Sequence, residues 1–145
     1  MGDRTEGTIE IEAPASEVME VIADFAAYPE WSDVEAAEVV EKGEDGRAAK
    51  VAFRVSQMGF DAEYTLAYDY APDDGGMSWT TVEASGALKD VQGEYVLEGS
   101  GDTTRVTYRM SAELSMPVPG LLRRQGEKRV VKTALEGLKR RVEEG

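Results

Sequence analysis

Between Phe60 and Tyr70 every second residue is apolar or aromatic: Phe60, Ala62, Tyr64, Leu66, Tyr68 and Tyr70 alternate with Asp61, Glu63, Thr65, Ala67 and Asp69. A period of two marks a strand with one buried and one wet face. Such a strand cannot stand alone, and the sequence supplies neighbours. From Val34 the strand period persists for about eighty residues, broken at Gly43 to Gly46, Met58-Gly59, Pro72 to Gly76, Ser85-Gly86 and Gly99 to Asp102. Each break is short enough to join antiparallel strands. The acidic residues in two of these breaks lack the alternating oxygen ligands and terminal glutamate of a calcium loop, so they read as hairpin turns. Thr104 to Leu114 repeats the alternation, with Val106, Tyr108, Met110, Ala112 and Leu114 on the apolar face and Arg105, Thr107, Arg109 and Glu113 outside. The spacing predicts an antiparallel meander.

Helical periods flank this meander. Thr8 to Glu12 reads as a first strand, and Val18, Met19, Val21, Ile22 and Phe25 form a helical stripe that starts near Pro14 to Ser16. A short turn or helix is expected over Tyr28-Pro29-Glu30-Trp31, with Pro29 ending the helix before it. After Pro117 to Gly120 the helical period runs to the last residue, interrupted by Gly126 and Gly137. Leu122, Val130, Val131, Ala134, Leu135, Leu138 and Val142 are assigned to its apolar side, and Arg123, Arg124, Lys128, Lys132, Lys139 and Arg140 to solvent. This order is α+β: a sheet with one apolar face, covered by helices.

The chain's 145 residues contain neither cysteine nor histidine. Disulfides, thiolate chemistry and the usual zinc ligands are therefore excluded, as is the commonest general base. No metal or cofactor is expected. A net charge of −13 opposes phosphate binding, so nucleic acid is not an expected partner. Half of the sixteen basic residues lie between Arg123 and Arg141. No apolar run has the length of a membrane span, and Met1 to Gly7 lacks a signal-peptide core, so the expected location is cytoplasmic.

Ile11-Glu12-Ala13-Pro14-Ala15-Ser16-Glu17-Val18, continuing through Val21-Ile22-Ala23-Asp24-Phe25 to Tyr28-Pro29-Glu30-Trp31, resembles the opening signature of the polyketide cyclase/dehydrase and lipid-transport family of the START-like (SRPBCC) superfamily. Gly93 to Leu97 resembles that family's sixth strand, Asp102 to Val106 the turn into its seventh, and Pro117 to Gly120 the approach to its terminal helix. The resemblance, nearest the coenzyme-Q-binding branch, implies one helix-grip domain over 1–145: a curved antiparallel sheet of about seven strands around a long C-terminal helix, with two short helices after the first strand. It leaves function open among lipid carriers, quinone-binding proteins, cyclases and interaction modules.

A sheet curled about a helix leaves an apolar cavity suited to a small hydrophobic ligand: a lipid, an isoprenoid quinone or a polyketide-like aromatic. Its expected lining is Phe53, Tyr64, Leu66, Tyr68, Trp79, Tyr95, Tyr108 and Met110 from the strands, with Leu122, Gly126 and Val130 from the helix. The same aromatics also suit a plain core. Gly126 is expected to face the strands, where a missing side chain permits close approach. Cyclase chemistry would need positioned acid or base groups, for which Tyr64, Tyr68 and Tyr108 are the candidates. No arginine falls on the apolar face; Arg54 is assigned to solvent, paired with Glu63 or Asp61. The basic helix face reads as a solvated surface or as a contact for anionic membranes. Oligomeric state has no sequence signal.

Overall fold

The computed structural model describes residues 5–144 except 33, 45, 58, 59, 87 and 116–118, with the side chains of 57 and 60 also outside the described set. The elements run β1 (Thr5–Ile11), α1 (Ala15–Ala23), a 3₁₀ turn at Phe25–Ala27, α2 (Tyr28–Trp31), β2 (Ala36–Lys42), β3 (Ala48–Gln57), β4 (Phe60–Tyr70), a 3₁₀ turn at Pro72–Asp74, β5 (Gly76–Gly86), β6 (Leu88–Ser100), β7 (Thr103–Leu114) and α3 (Gly120–Glu144). All seven strands join one antiparallel sheet in the order β1-β7-β6-β5-β4-β3-β2. This is the helix-grip arrangement.

Pro72 to Gly75 and Gly101-Asp102 form turns between strands, Ser85-Gly86 and Gly99-Ser100 instead end β5 and β6, and Asp45 and Met58-Gly59 lie outside the described residues. Between β4 and β5, Asp73 and Asp74 both take φ 57°, a left-handed conformation that aspartate tolerates better than bulkier residues. Pro29 acts differently from the expectation. The first helix stops at Ala23, and Pro29 falls in the first turn of α2, where its missing N–H would have no helical partner in any case.

The alternation on β4 places Ala62, Tyr64, Leu66, Tyr68 and Tyr70 on the inner face. Phe53 of β3 is opposite Tyr64, Trp79 of β5 is opposite Tyr68, and Tyr95 of β6 is opposite Tyr108 of β7. Thr107 departs from its assignment to solvent: it lies on the outer face yet is buried, its hydroxyl 3.3 Å from that of Thr8 on β1. Arg54 is exposed as expected, but it pairs with Glu35 at 3.4 Å and not with Glu63 or Asp61.

The sheet's hydrogen-bonded ladders are uneven. β6 and β7 pair along almost their whole length, whereas among the described residues the β5–β6 register runs from Gly76 to Trp79, opposite Val96 to Gly93. Against β4, β5 carries an extra residue between Thr81 and Glu83, a bulge that turns the strand. Just before the bulge a side chain bridges to β6: Thr81 Oγ1 donates to the Val91 carbonyl and accepts the Val91 N–H, each at 2.8 Å.

α3 packs on β1 and β7 and against α1 and α2. Val131, Leu135 and Leu138 supply the buried stripe, and Gly137 meets α2, where a Cβ would stand 2.2 Å from the Trp31 carbonyl oxygen. At the far end Glu143 accepts the Glu12 N–H at 2.9 Å and the Lys139 ammonium at 2.6 Å. The backbone bond first and the ammonium second hold its carboxyl below the usual value.

Candidate functional site

The inner aromatics form a continuous series. Phe25, carried in by the turn after α1, meets Tyr28 at 4.9 Å and Tyr68 at 4.6 Å between ring centroids. Phe53 stacks on Tyr64 at 5.4 Å, and Trp79 links Tyr68, Tyr95 and Tyr108 at 6.0, 5.5 and 5.6 Å. Tyr95 and Tyr108 meet edge to face at 4.8 Å. Tilted and edge contacts of this kind are the favoured geometry for aromatic pairs. The strand residues expected to line a ligand site therefore do come together: Phe53, Leu66, Tyr68, Trp79, Tyr95, Tyr108 and Met110 are buried in one cluster, and Tyr64 packs against it.

The phenol oxygens behave differently from the rings. Tyr28 donates to the Ile22 carbonyl oxygen and Tyr70 to that of Ala48. Among the described residues no group hydrogen-bonds the phenols of Tyr64, Tyr68, Tyr95 or Tyr108. The one described side-chain polar atom that is both fully enclosed and unpartnered is Trp31 Nε1. The four tyrosine hydroxyls are thus unpartnered among the described residues without being fully enclosed, although their rings are largely covered. Burial pushes the Tyr64 phenol up to about 12. Tyr28, Tyr68, Tyr95 and Tyr108 are also raised well above the ordinary value, by burial first and by neighbouring phenols second: Tyr64 and Tyr108 act on Tyr68, and Tyr28 and Tyr108 on Tyr95. At neutral pH all five are uncharged hydroxyls, able to donate or accept a hydrogen bond.

The helical part of the expected lining is not where the periodicity put it. Leu122 is 56 % exposed, Val130 is 38 % exposed, and a Cβ at Gly126 would meet nothing within 4 Å. Over these turns α3 offers the interior one residue, Glu127, which is 6 % exposed. It is a clasp: Oε1 accepts the Thr5 hydroxyl at 2.7 Å and Oε2 accepts the Ala112 N–H at 2.9 Å, tying α3 to β1 and β7. Hydropathy alone passed over a glutamate, but its spacing of four and eight residues before Val131 and Leu135 marks the same face.

Two clefts open at the surface. One of about 340 Å³ lies between β1 and α3, lined in part by Thr5, Thr8, Val131 and Leu135. The other, of about 620 Å³, crosses β2, β3, β4 and β5; it reaches Phe53 and Tyr64 but not Tyr68, Trp79, Tyr95 or Tyr108.

Residues 3–143 match the family described as polyketide cyclase / dehydrase and lipid transport. The chain belongs to that family. The polyketide cyclase / dehydrase and lipid transport fold recurs in solved structures along nearly its whole length. A START superfamily protein from Mycobacterium smegmatis superimposes with a TM-score of 0.89 at 21 % identity, covering 99 % of both chains. The Zhui aromatase/cyclase from a Streptomyces species gives 0.80 at 19 %, covering 99 % of this chain and 94 % of its own. A STAR-related lipid transfer protein from Xanthomonas axonopodis gives 0.73 at 21 %, covering 97 % and 85 %. At these identities the likeness establishes the fold. No curated protein matches the chain. Membership of the polyketide cyclase / dehydrase and lipid transport family points to hydrophobic-ligand binding or a cyclase-like role. Among the described residues no helix is long and apolar enough to cross a membrane.

Proposed function

We propose that residues 1–145 act as one helix-grip unit in the cytoplasm that binds and carries a small hydrophobic molecule bearing oxygen or nitrogen acceptors. A lipid, an isoprenoid quinone or a polyketide-like aromatic has this character. One observation carries the reading: four clustered phenols on covered rings have no hydrogen-bond partner among the described residues. A core built only for stability would satisfy its buried hydroxyls, whereas a binding interior leaves a few polar groups for its occupant. The family and the lipid-transfer and aromatase/cyclase neighbours support the same reading.

An enzymatic use of Tyr64, Tyr68 or Tyr108 as proton donors is the second reading. Clustering of the phenols favours it, but their raised proton affinities do not, because a donor works best with a pKa near the operating pH. The sheet arginines Arg54 and Arg109 engage Glu35, Glu6 and Glu94 and supply no cation beside the phenols. The carrier reading is therefore preferred.

Native mass spectrometry of the purified protein, with solvent extraction of whatever copurifies, tests it. The expected result is an apolar adduct that Tyr68→Phe together with Tyr108→Phe weakens while the fold is kept. Absence of any adduct, together with no uptake from a panel of quinones, fatty acids and aromatic polyketides, would overturn it. Turnover of a panel member that Tyr64→Phe or Tyr68→Phe abolishes would favour the enzyme.

A further inference from the structure

The opening turns of α3 hold three apolar side chains in water: Leu121 is 69 % exposed, Leu122 56 % and Val130 38 %. Arg123, Arg124, Lys128, Arg129 and Lys132 occupy the same stretch. From Gly120 to Val130 the one buried residue is Glu127, so the leucines and most of the cations turn outward together.

The chain has 29 carboxylates for 16 lysines and arginines. On the sheet four of the six cations find them: Lys50 with Glu41, Arg54 with Glu35, Lys89 with Glu113, and Arg109 with Glu6 and Glu94, while Lys42 and Arg105, far apart on β2 and β7, have no ion pair among the described residues. Farther along α3, Lys139 pairs with Glu143 and Arg141 with Glu30. Among the described residues no carboxylate pairs with Arg123, Lys128, Arg129 or Lys132. Where acidic groups outnumber basic ones, four unpaired cations on neighbouring turns beside exposed leucines describe a surface whose complement lies outside the chain.

We infer that this face of α3 docks on an anionic lipid surface. Nucleic acid would use the cations and leave Leu121 and Leu122 wet. A bilayer interface takes both, the leucines at the acyl boundary and the cations among the phosphates. The net charge of −13 sets the orientation: an anionic membrane repels the rest of the surface, and only the opening of α3 can approach it. At physiological salt that repulsion is screened beyond about 8 Å, so the local patch governs contact. The inference does not depend on what the interior holds.

Flotation of the full chain with vesicles tests it, using phosphatidylcholine alone and phosphatidylcholine mixed with phosphatidylglycerol. The protein is expected to float with the mixed vesicles only, and less as salt rises. Leu121→Ser with Leu122→Ser should weaken binding by about tenfold or more, and Lys128→Glu with Arg129→Glu should abolish it. All four residues are exposed, so circular dichroism should show an unchanged fold. Binding that ignores phosphatidylglycerol, or variants that float like the parent, would overturn the proposal. So would a dimer in sedimentation that Leu121→Ser with Leu122→Ser dissolves, which would assign the face to a second copy. Capture of an acidic protein without vesicle binding would count against it equally.

Discussion

The indole of Trp79 fills the space that a side chain at Gly93 would need. The two residues are partners across β5 and β6, and a Cβ at Gly93 would stand 2.6 Å from Trp79 Cζ2 and 2.6 Å from the Arg109 carbonyl oxygen. One contact is with backbone, so the site cannot relax by a rotamer change alone. Gly93→Ala should lower stability by about 1–3 kcal/mol, read as a shift in the urea midpoint. Because Trp79 must tilt away, its near-ultraviolet dichroism should change as well; an unchanged midpoint and spectrum would show the packing to be looser than described.

Two glycines in one helix should respond to the same substitution with opposite sign. At Gly126 a Cβ meets nothing within 4 Å, so Gly126→Ala gains helix propensity, about 1 kcal/mol. At Gly137 the same methyl would sit 2.2 Å from the Trp31 carbonyl oxygen, and α2 would have to move off α3. Gly137→Ala should therefore destabilise despite its better propensity. Thermal melts of the two variants, side by side, check this.

Phenol burial fixes how stability changes in base. In the unfolded chain tyrosines ionise near 10. In the folded protein Tyr64 is raised to about 12, and Tyr28, Tyr68, Tyr95 and Tyr108 are raised as well. Above the ordinary value the unfolded state thus holds fewer protons than the folded one. These groups leave stability unchanged below about pH 10 and reduce it as pH climbs from there through about 12. Phenolate absorbance should rise late in buffer, coincident with unfolding, and near pH 10 in denaturant. A rise centred near 10 in the native protein would contradict the buried arrangement.

Glu127 is the polar anchor of the opening of α3. Removing it in Glu127→Ala strands the Ala112 N–H and the Thr5 hydroxyl and should cost about 2 kcal/mol. Glu127→Gln keeps one acceptor oxygen and should cost less. Hydrogen exchange localises the effect: the Ala112 amide and the first turns of α3 should lose protection before β4 does.

Strand periodicity carried most of this architecture. The alternation through β4 and β7 put Tyr64, Tyr68, Tyr108 and Met110 on the inner face, where they lie, because a period of two has only two phases. A helix gives weaker guidance. Its inward face here runs through Glu127, Val131 and Leu135, and a stripe read by hydropathy skips the glutamate and takes in the exposed Leu122 and Val130 instead. Gly126 lies beside Glu127 and off that face. Alternation separates faces and does not report what covers the outer one, which is why Thr107 is buried there against β1. The aromatic series was legible as a set of residues, whereas the open hydroxyls depend on contacts among strands far apart in sequence.

The Thr81 hydroxyl bridges β5 to β6 where two groups of strands meet. β2, β3, β4 and β5 form one leaf, and β6, β7 and β1 another. Between them run the short ladder from Gly76 to Trp79 and the Thr81 bridge to Val91. Trp79 belongs to the first leaf, and Tyr95 and Tyr108 belong to the second. An occupant among those rings would therefore touch strands on both sides of the β5–β6 junction at once.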